Sequence, residues 1–199
     1  MNQKTSSNQA ENSFAANLVE YVEMFVFAVV LVILVMTFCL RLCEVDGPSM
    51  NKTLIHGEKL LISDLFYEPK TGDIIVFHLP DSDVAYYNKP IVKRVIATEG
   101  QHVKIDYIHK QVLVSDDDSF SEDEILDETE YAYYDSGIFK EALLGKEAQT
   151  FTVPEGRLFV MGDNRNNSAD SRNEHIGMIS ESCVLGRVLL RLSPFTVFK

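Results

Sequence analysis

Basic residues are scarce in this 199-residue chain: 18 Lys and Arg stand against 30 Asp and Glu, a net charge of −12. Affinity for a phosphate backbone comes chiefly from Lys and Arg, so this balance argues against nucleic acid as a partner. Cysteine is scarce too. Cys39 and Cys43 lie four residues apart and Cys183 far downstream, which yields neither a disulfide framework nor a Cys-x-x-Cys site. The histidines (His56, His78, His102, His109 and His175) are scattered without metal-ligand spacing, so neither a metal nor a cofactor is expected. There is no Gly-rich phosphate loop, no internal repeat, and no second apolar run long enough to cross a membrane.

The one long apolar run, residues 24–40 (MFVFAVVLVILVMTFCL), carries no charge over seventeen residues. As a helix it spans roughly 26 Å, and Tyr21, Val22, Leu42 and Cys43 extend it towards bilayer thickness. Apolar side chains on every face distinguish it from a core helix and make it a transmembrane candidate. The first twenty residues contain Lys4 as their only basic group, and the run ends in Phe38-Cys39-Leu40-Arg41 rather than in small residues. It therefore reads as an uncleaved anchor. Lys4 on one side and Arg41 on the other leave its orientation unspecified. The expected organisation is a tail (1–20), an anchor (21–43) and one domain tethered to a bilayer (44–199).

The acidity is concentrated. Residues 115–136 hold ten Asp and Glu and no Lys or Arg, so the rest of the chain sums to only −2. Such a run reads as a solvated excursion, the alternative being a patch for basic segments or divalent cations. Around it, segments rich in β-branched and aromatic residues recur at 58–63, 73–79, 91–98, 102–108, 111–114, 149–153, 157–161 and 184–192. Turn signals such as Pro69-Lys70-Thr71-Gly72 and Pro154-Glu155-Gly156 separate them. A mainly β, antiparallel architecture is expected, with a helical turn or two at 138–144.

Three segments carry chemistry. In Val45-Asp46-Gly47-Pro48-Ser49-Met50, Gly47 and Pro48 bend the backbone and present Ser49 on a tight turn. In Ile91-Val92-Lys93-Arg94-Val95-Ile96-Ala97, a lysine interrupts an apolar strand; period-two alternation puts Lys93 on the face of Ile91, Val95 and Ala97, with Arg94 on the other. An ammonium held against apolar surface loses hydration, its pKa falls, and the neutral amine can serve as a general base. The third segment, Gly162-Asp163-Asn164-Arg165-Asn166-Asn167-Ser168-Ala169-Asp170-Ser171-Arg172, is dense in groups that bond their own backbone. Arg165 and Arg172 offer forks for Asp163 and Asp170.

Together, over nearly the whole chain, these segments resemble the type I signal peptidases, membrane-bound Ser-Lys proteases of peptidase family S26. The resemblance implies an antiparallel, barrel-like fold with one N-terminal transmembrane helix and a smaller inserted subdomain, here about 104–150. It implies Ser49 as nucleophile, Lys93 as base, Ser168 as the hydroxyl that orients the amine, and Asp170 with Arg172 as a supporting ion pair. Met50, Leu54, Ile91 and Val92 would line the pocket for the residue before the cut, so that cleavage follows small-x-small sequences. The implied partners are signal peptides of secreted preproteins and the lipid bilayer, with the catalytic domain on the extracytoplasmic side; oligomeric state is not implied.

The chain departs from the family pattern at Lys52, where many members have Pro, and at Gly47, where some carry a second oxyanion-stabilising hydroxyl. A further departure is Ala97-Thr98-Glu99-Gly100-Gln101 in place of Gly-x-Pro-Gly-Asp. These departures and the acidic run frame the alternative, a signal-peptidase-like factor that holds a surface-protein precursor, such as a pilin, without cutting it. Retention of both Ser49 and Lys93 favours the enzyme.

Overall fold

A computed structural model describes residues 3–79, 89–134 and 137–198. Met1 and Asn2 of the tail, and Asp135 and Ser136 at the end of the acidic stretch, lie outside the described residues. The chain forms two compact units, Met1–Arg41 and Leu42–Lys199.

The first unit is a helix, α1 (Gln3–Phe38), free of Gly and Pro throughout. Within it Asn17–Val35, 19 residues, is long and apolar enough to cross a membrane. None of that window is buried by protein, and Phe25 and Phe27 are each 70% exposed. The helix begins inside the stretch read as a tail. It ends before Arg41–Glu44, which form a short strand (β1) where the sequence reading continues the anchor to Cys43.

The second unit is mainly antiparallel β, as the strand signals and the resemblance both imply. Its larger sheet runs in the order β1, β2 (Lys59–Ser63), β10 (Val184–Arg191), β3 (Ile74–Phe77), β4 (Ile91–Ala97), β8 (Arg157–Met161), β9 (Ile179–Ser180), with β11 (Thr196–Val197) beside β10. A second sheet is ordered β6 (Gln111–Ser115), β5 (His102–Asp106), β7 (Ala148–Thr152). The helical turn expected near 138–144 is α2 (Lys140–Leu143).

β3 is buried on both faces: Ile74 and Val76 pack with Leu60, Ile62 and Val188, whereas Ile75 and Phe77 pack with Val95, Leu158 and Val160. A third cluster joins the two sheets, with Ile96 of β4 and Phe159 and Met161 of β8 packing against Val103, Ile105, Tyr107, Val112 and Phe139. The expected inserted segment thus shares a core with the larger sheet. On β4, Ile91 and Val95 share a cluster as the alternation requires, while Ala97 leaves it for the inter-sheet cluster. The cause is a register shift between Val95 and Ala97 against β8.

Candidate active site

Ser49 sits where the chain leaves β1 and turns. Val45 is tied to the next hairpin by Val45 N–H to Glu58 O (2.9 Å) and Gly57 N–H to Val45 O (2.9 Å). Gly47 follows at φ 98°, a left-handed conformation that a Cβ would disfavour. Beyond Ser49 the chain coils, with Leu54 N–H donating to Met50 O (2.8 Å). Met50 and Leu54 have no exposed surface and root this coil in the apolar core. Asn164 holds the turn from the opposite side: its backbone N–H donates to Ser49 O (3.0 Å) and its Nδ2 to Pro48 O (3.2 Å). In a trans peptide the C=O and N–H point in opposite directions, so fixing Pro48 O also fixes the aim of the Ser49 N–H.

Lys93, on the face shared with Ile91 and Val95, is 3% exposed. Its Nζ lies 2.8 Å from Ser49 Oγ and 2.9 Å from Val92 O. Loss of hydration draws its pKa down to about 8, against the opposing pull of the Asp170 and Asp163 carboxylates.

Those carboxylates belong to the loop after β8. Burial raises the pKa of Asp170, but the Arg172 guanidinium and the Gly162 N–H (3.0 Å to Oδ2) outweigh it and hold the carboxyl below its ordinary value. Arg172 grips it bidentately, at 2.8 Å (Nε to Oδ1) and 2.9 Å (Nη2 to Oδ2), as expected for this pair. The other expected fork is not made. Asp163 is taken by Arg94 of β4 (Nε to Oδ1 2.8 Å, Nη2 to Oδ2 2.7 Å) and by the Thr53 hydroxyl. Arg165, 1% exposed, turns instead to Glu128. The acidic stretch is therefore not solvated throughout: Glu128 is 8% exposed and paired in the interior.

Ser168 is packed against Gly162. Its Oγ is buried and makes no hydrogen bond to Lys93; the hydroxyl instead helps keep Asp170 ionised.

Ser49, Lys93 and Ser168 face a cleft of about 370 Å³. One wall is the segment from Cys43 to Ser49, the other the segment from Lys89 to Lys93, and Asn166 to Ala169 close the end. Ile91 and Val92 line it, together with Val45 and Leu60; Met50 and Leu54 do not reach its surface. Asp170 and Arg172 do not line the cleft. β4 pairs with β3 from Ile91 to Arg94, but β8 engages it only from Arg94 onward, so residues 91–93 have one open edge on the described fold. Among the described residues no three His, Cys, Asp or Glu side chains converge as a metal site would require. Sequence reasoning missed Arg94, Glu128 and Asn164 as parts of the site; for Asn164 the only signal was its place in the polar loop.

Residues 18–193 match the family described as signal peptidase, peptidase S26. A probable signal peptidase I-1 of Synechocystis sp. is 32% identical over 182 residues, covering 88% of this chain and 82% of that protein. Signal peptidase IB of Staphylococcus aureus is 29% identical over 189 residues, covering 92% and 93%. A crystal structure of a signal peptidase I from Enterococcus faecalis V583 aligns at 26% identity and a TM-score of 0.40, covering 61% of this chain and 97% of that one. With the family matched along most of its length and a relative 32% identical, the chain belongs to the signal peptidases of peptidase family S26.

Proposed function

We propose that this signal peptidase is a membrane-anchored serine endopeptidase that works through a Ser49-Lys93 dyad and cuts exported preproteins after small-x-small sequences. The observation that carries this reading is the 2.8 Å approach of a buried lysine amine to Ser49 Oγ. In its neutral form the Lys93 amine accepts the Ser49 hydroxyl proton as Oγ attacks the scissile carbonyl. It then returns that proton to the leaving amine, and takes another from the water that releases the acyl group. The Ser49 N–H, aimed by the hold on Pro48 O, donates to the developing oxyanion. Ser168 is within the same cleft to orient the amine, and the Asp170-Arg172 pair supports the loop that carries it.

The open edge of residues 91–93 suits an extended peptide lying between the two walls as an added strand. Ile91 and Val92, with Val45 and Leu60, form its apolar wall, and Met50 and Leu54 behind them set the depth that admits only small side chains. The Asn17–Val35 run would hold the domain at the extracytoplasmic surface of a bilayer, where its substrates are also confined, raising effective concentration without new contacts. The test is cleavage, in lipid vesicles, of a preprotein whose signal peptide ends Ala-x-Ala. Wild type should cut it, Ser49→Ala should not, and a Phe in place of the last Ala should block cutting; equal cleavage by Ser49→Ala would overturn the assignment.

The lysine also sets a pH profile. With a pKa of about 8, the neutral amine is ~1% of the population at pH 6 and ~90% at pH 9. Hence kcat/KM should climb close to tenfold per pH unit below about 8 and level off above it. A flat profile between pH 6 and 9 would remove Lys93 from the role of base.

A further inference from the structure

We infer that the acidic stretch supplies a working part of the active site: residues 128–133 form a strap that positions the nucleophile, with Glu128 as a positioning residue acting through Arg165. The inference rests on the Ser49-Lys93 reading and extends it to a segment that carries no motif.

Glu128 alone among the described acids of this stretch is buried; Asp127 and Glu130 beside it are exposed. Its carboxylate receives both Nη1 (2.6 Å) and Nη2 of Arg165, whose Nε donates to Gly162 O (3.2 Å). The strap's backbone then brackets Asn164, with Tyr133 N–H donating to Asp163 O (2.7 Å) and Arg165 N–H to Tyr133 O (2.9 Å). Asn164 is the residue that fixes both Ser49 O and Pro48 O. A short physical path therefore runs from Glu128 through Arg165 and Asn164 to the Pro48–Ser49 peptide, the source of the oxyanion donor.

Two further contacts tighten the strap. The Tyr131 ring lies 3.9 Å from the Arg94 guanidinium, which itself holds Asp163, and 5.9 Å from that of Arg165, while its hydroxyl donates to Glu128 Oε1 (3.3 Å). Lys52, from the coil after Ser49, sits 4.4 Å over the Tyr133 ring. A buried ion pair is poor evidence for stability, since apolar residues of similar volume often do as well. What this pair supplies is a single position for a loop that must hold a peptide plane to within a fraction of an ångström.

The test uses the full chain in vesicles, below the melting temperature of every variant, with rates corrected to the folded fraction. Glu128→Gln and Arg165→Gln should each lower kcat about tenfold with KM within about twofold. Because one acts through the other, the double variant should lose no more than the worse single. Asp123→Asn, exposed in the same acidic stretch but outside the strap, should leave kcat unchanged. Multiplying losses, or a Glu128→Gln kcat within about twofold of wild type, would overturn the strap. Should the charge variants fail to fold, Glu128→Leu with Arg165→Met replaces the pair by apolar volume: a well-folded protein with wild-type kcat would show a merely structural role, and one with depressed kcat supports positioning. Ser49→Ala, run alongside, reads the dyad separately, so a strap that fails leaves the dyad result standing.

Discussion

Replacing Lys93 by Met should abolish cleavage and leave a more heat-stable protein. Removing either the nucleophile or its base from a serine-protease site costs on the order of 10⁴ to 10⁶ in kcat, and Ser49→Ala and Lys93→Met should fall together in that range. The stability effect has the opposite sign, for a reason that lies in the lysine itself. Its pKa is about 8 in the folded chain against 10.5 for an ordinary lysine, because the folded state must strip water from the ammonium. Below about pH 8 both states are protonated and the folded state carries that penalty in full, about 3 kcal/mol. Between about 8 and 10.5 the unfolded chain binds the extra proton, so stability rises with pH and the penalty disappears. Met has a similar stem and no charge. The variant should therefore melt higher than wild type at pH 7, and the difference should shrink as the pH approaches 10. Thermal melts at both pH values check this; a variant less stable than wild type at pH 7 would mean that the amine is not penalised by burial.

Gly162→Ala should reduce cleavage by more than about 10²-fold while the sheet stays folded. The demand at this position is for space, since the backbone is not in a left-handed conformation. A methyl group there would come within 2.5 Å of Ser49 O and 2.6 Å of Ser168 Cβ, and would overlap the Ser168 hydroxyl. Neither neighbour can yield without moving the turn that carries Ser49 or the loop that carries Ser168. Residues 158–161 of β8 are fully buried and are not among the atoms that the added methyl would meet, which is why the loss should appear in kcat before it appears in the melting temperature. Wild-type cleavage by Gly162→Ala would show that the loop has slack and that the tight approach has no functional weight.

Much of the fold was legible because its longer strands are rich in β-branched and aromatic residues and are bounded by turn signals, and each of the eight segments read as strands overlaps one. β9 and β11, with two residues each, are too short to register a period, and β1 was absorbed into the apolar run beside it. Lys93 stood out as a charge inside an apolar strand, and Ser49 as a hydroxyl on a bend that Gly47 makes possible. Met50 and Leu54 were ambiguous for a physical reason: an apolar residue beside a nucleophile can face the cleft or root the turn, and their spacing is the same either way. The pairing of Arg165 was hidden more deeply. Asp163 is its near neighbour and Glu128 lies 37 residues away in a run of interchangeable acids. Only the third dimension shows that Arg94 has already occupied Asp163.

The shared core between the two sheets bears on how this enzyme ages and fails. Ile96, Phe159 and Met161 bury themselves against Tyr107 and Phe139, so neither sheet can shed the other without exposing apolar surface. Leu42–Lys199 should therefore behave as one cooperative unit, in which a cut or an oxidised side chain in the secondary sheet is felt at Ser49 and Lys93 as loss of the whole and not as a local fraying. The enzyme would thus be present either intact or unfolded, with few half-active forms able to grip a preprotein and hold it uncut.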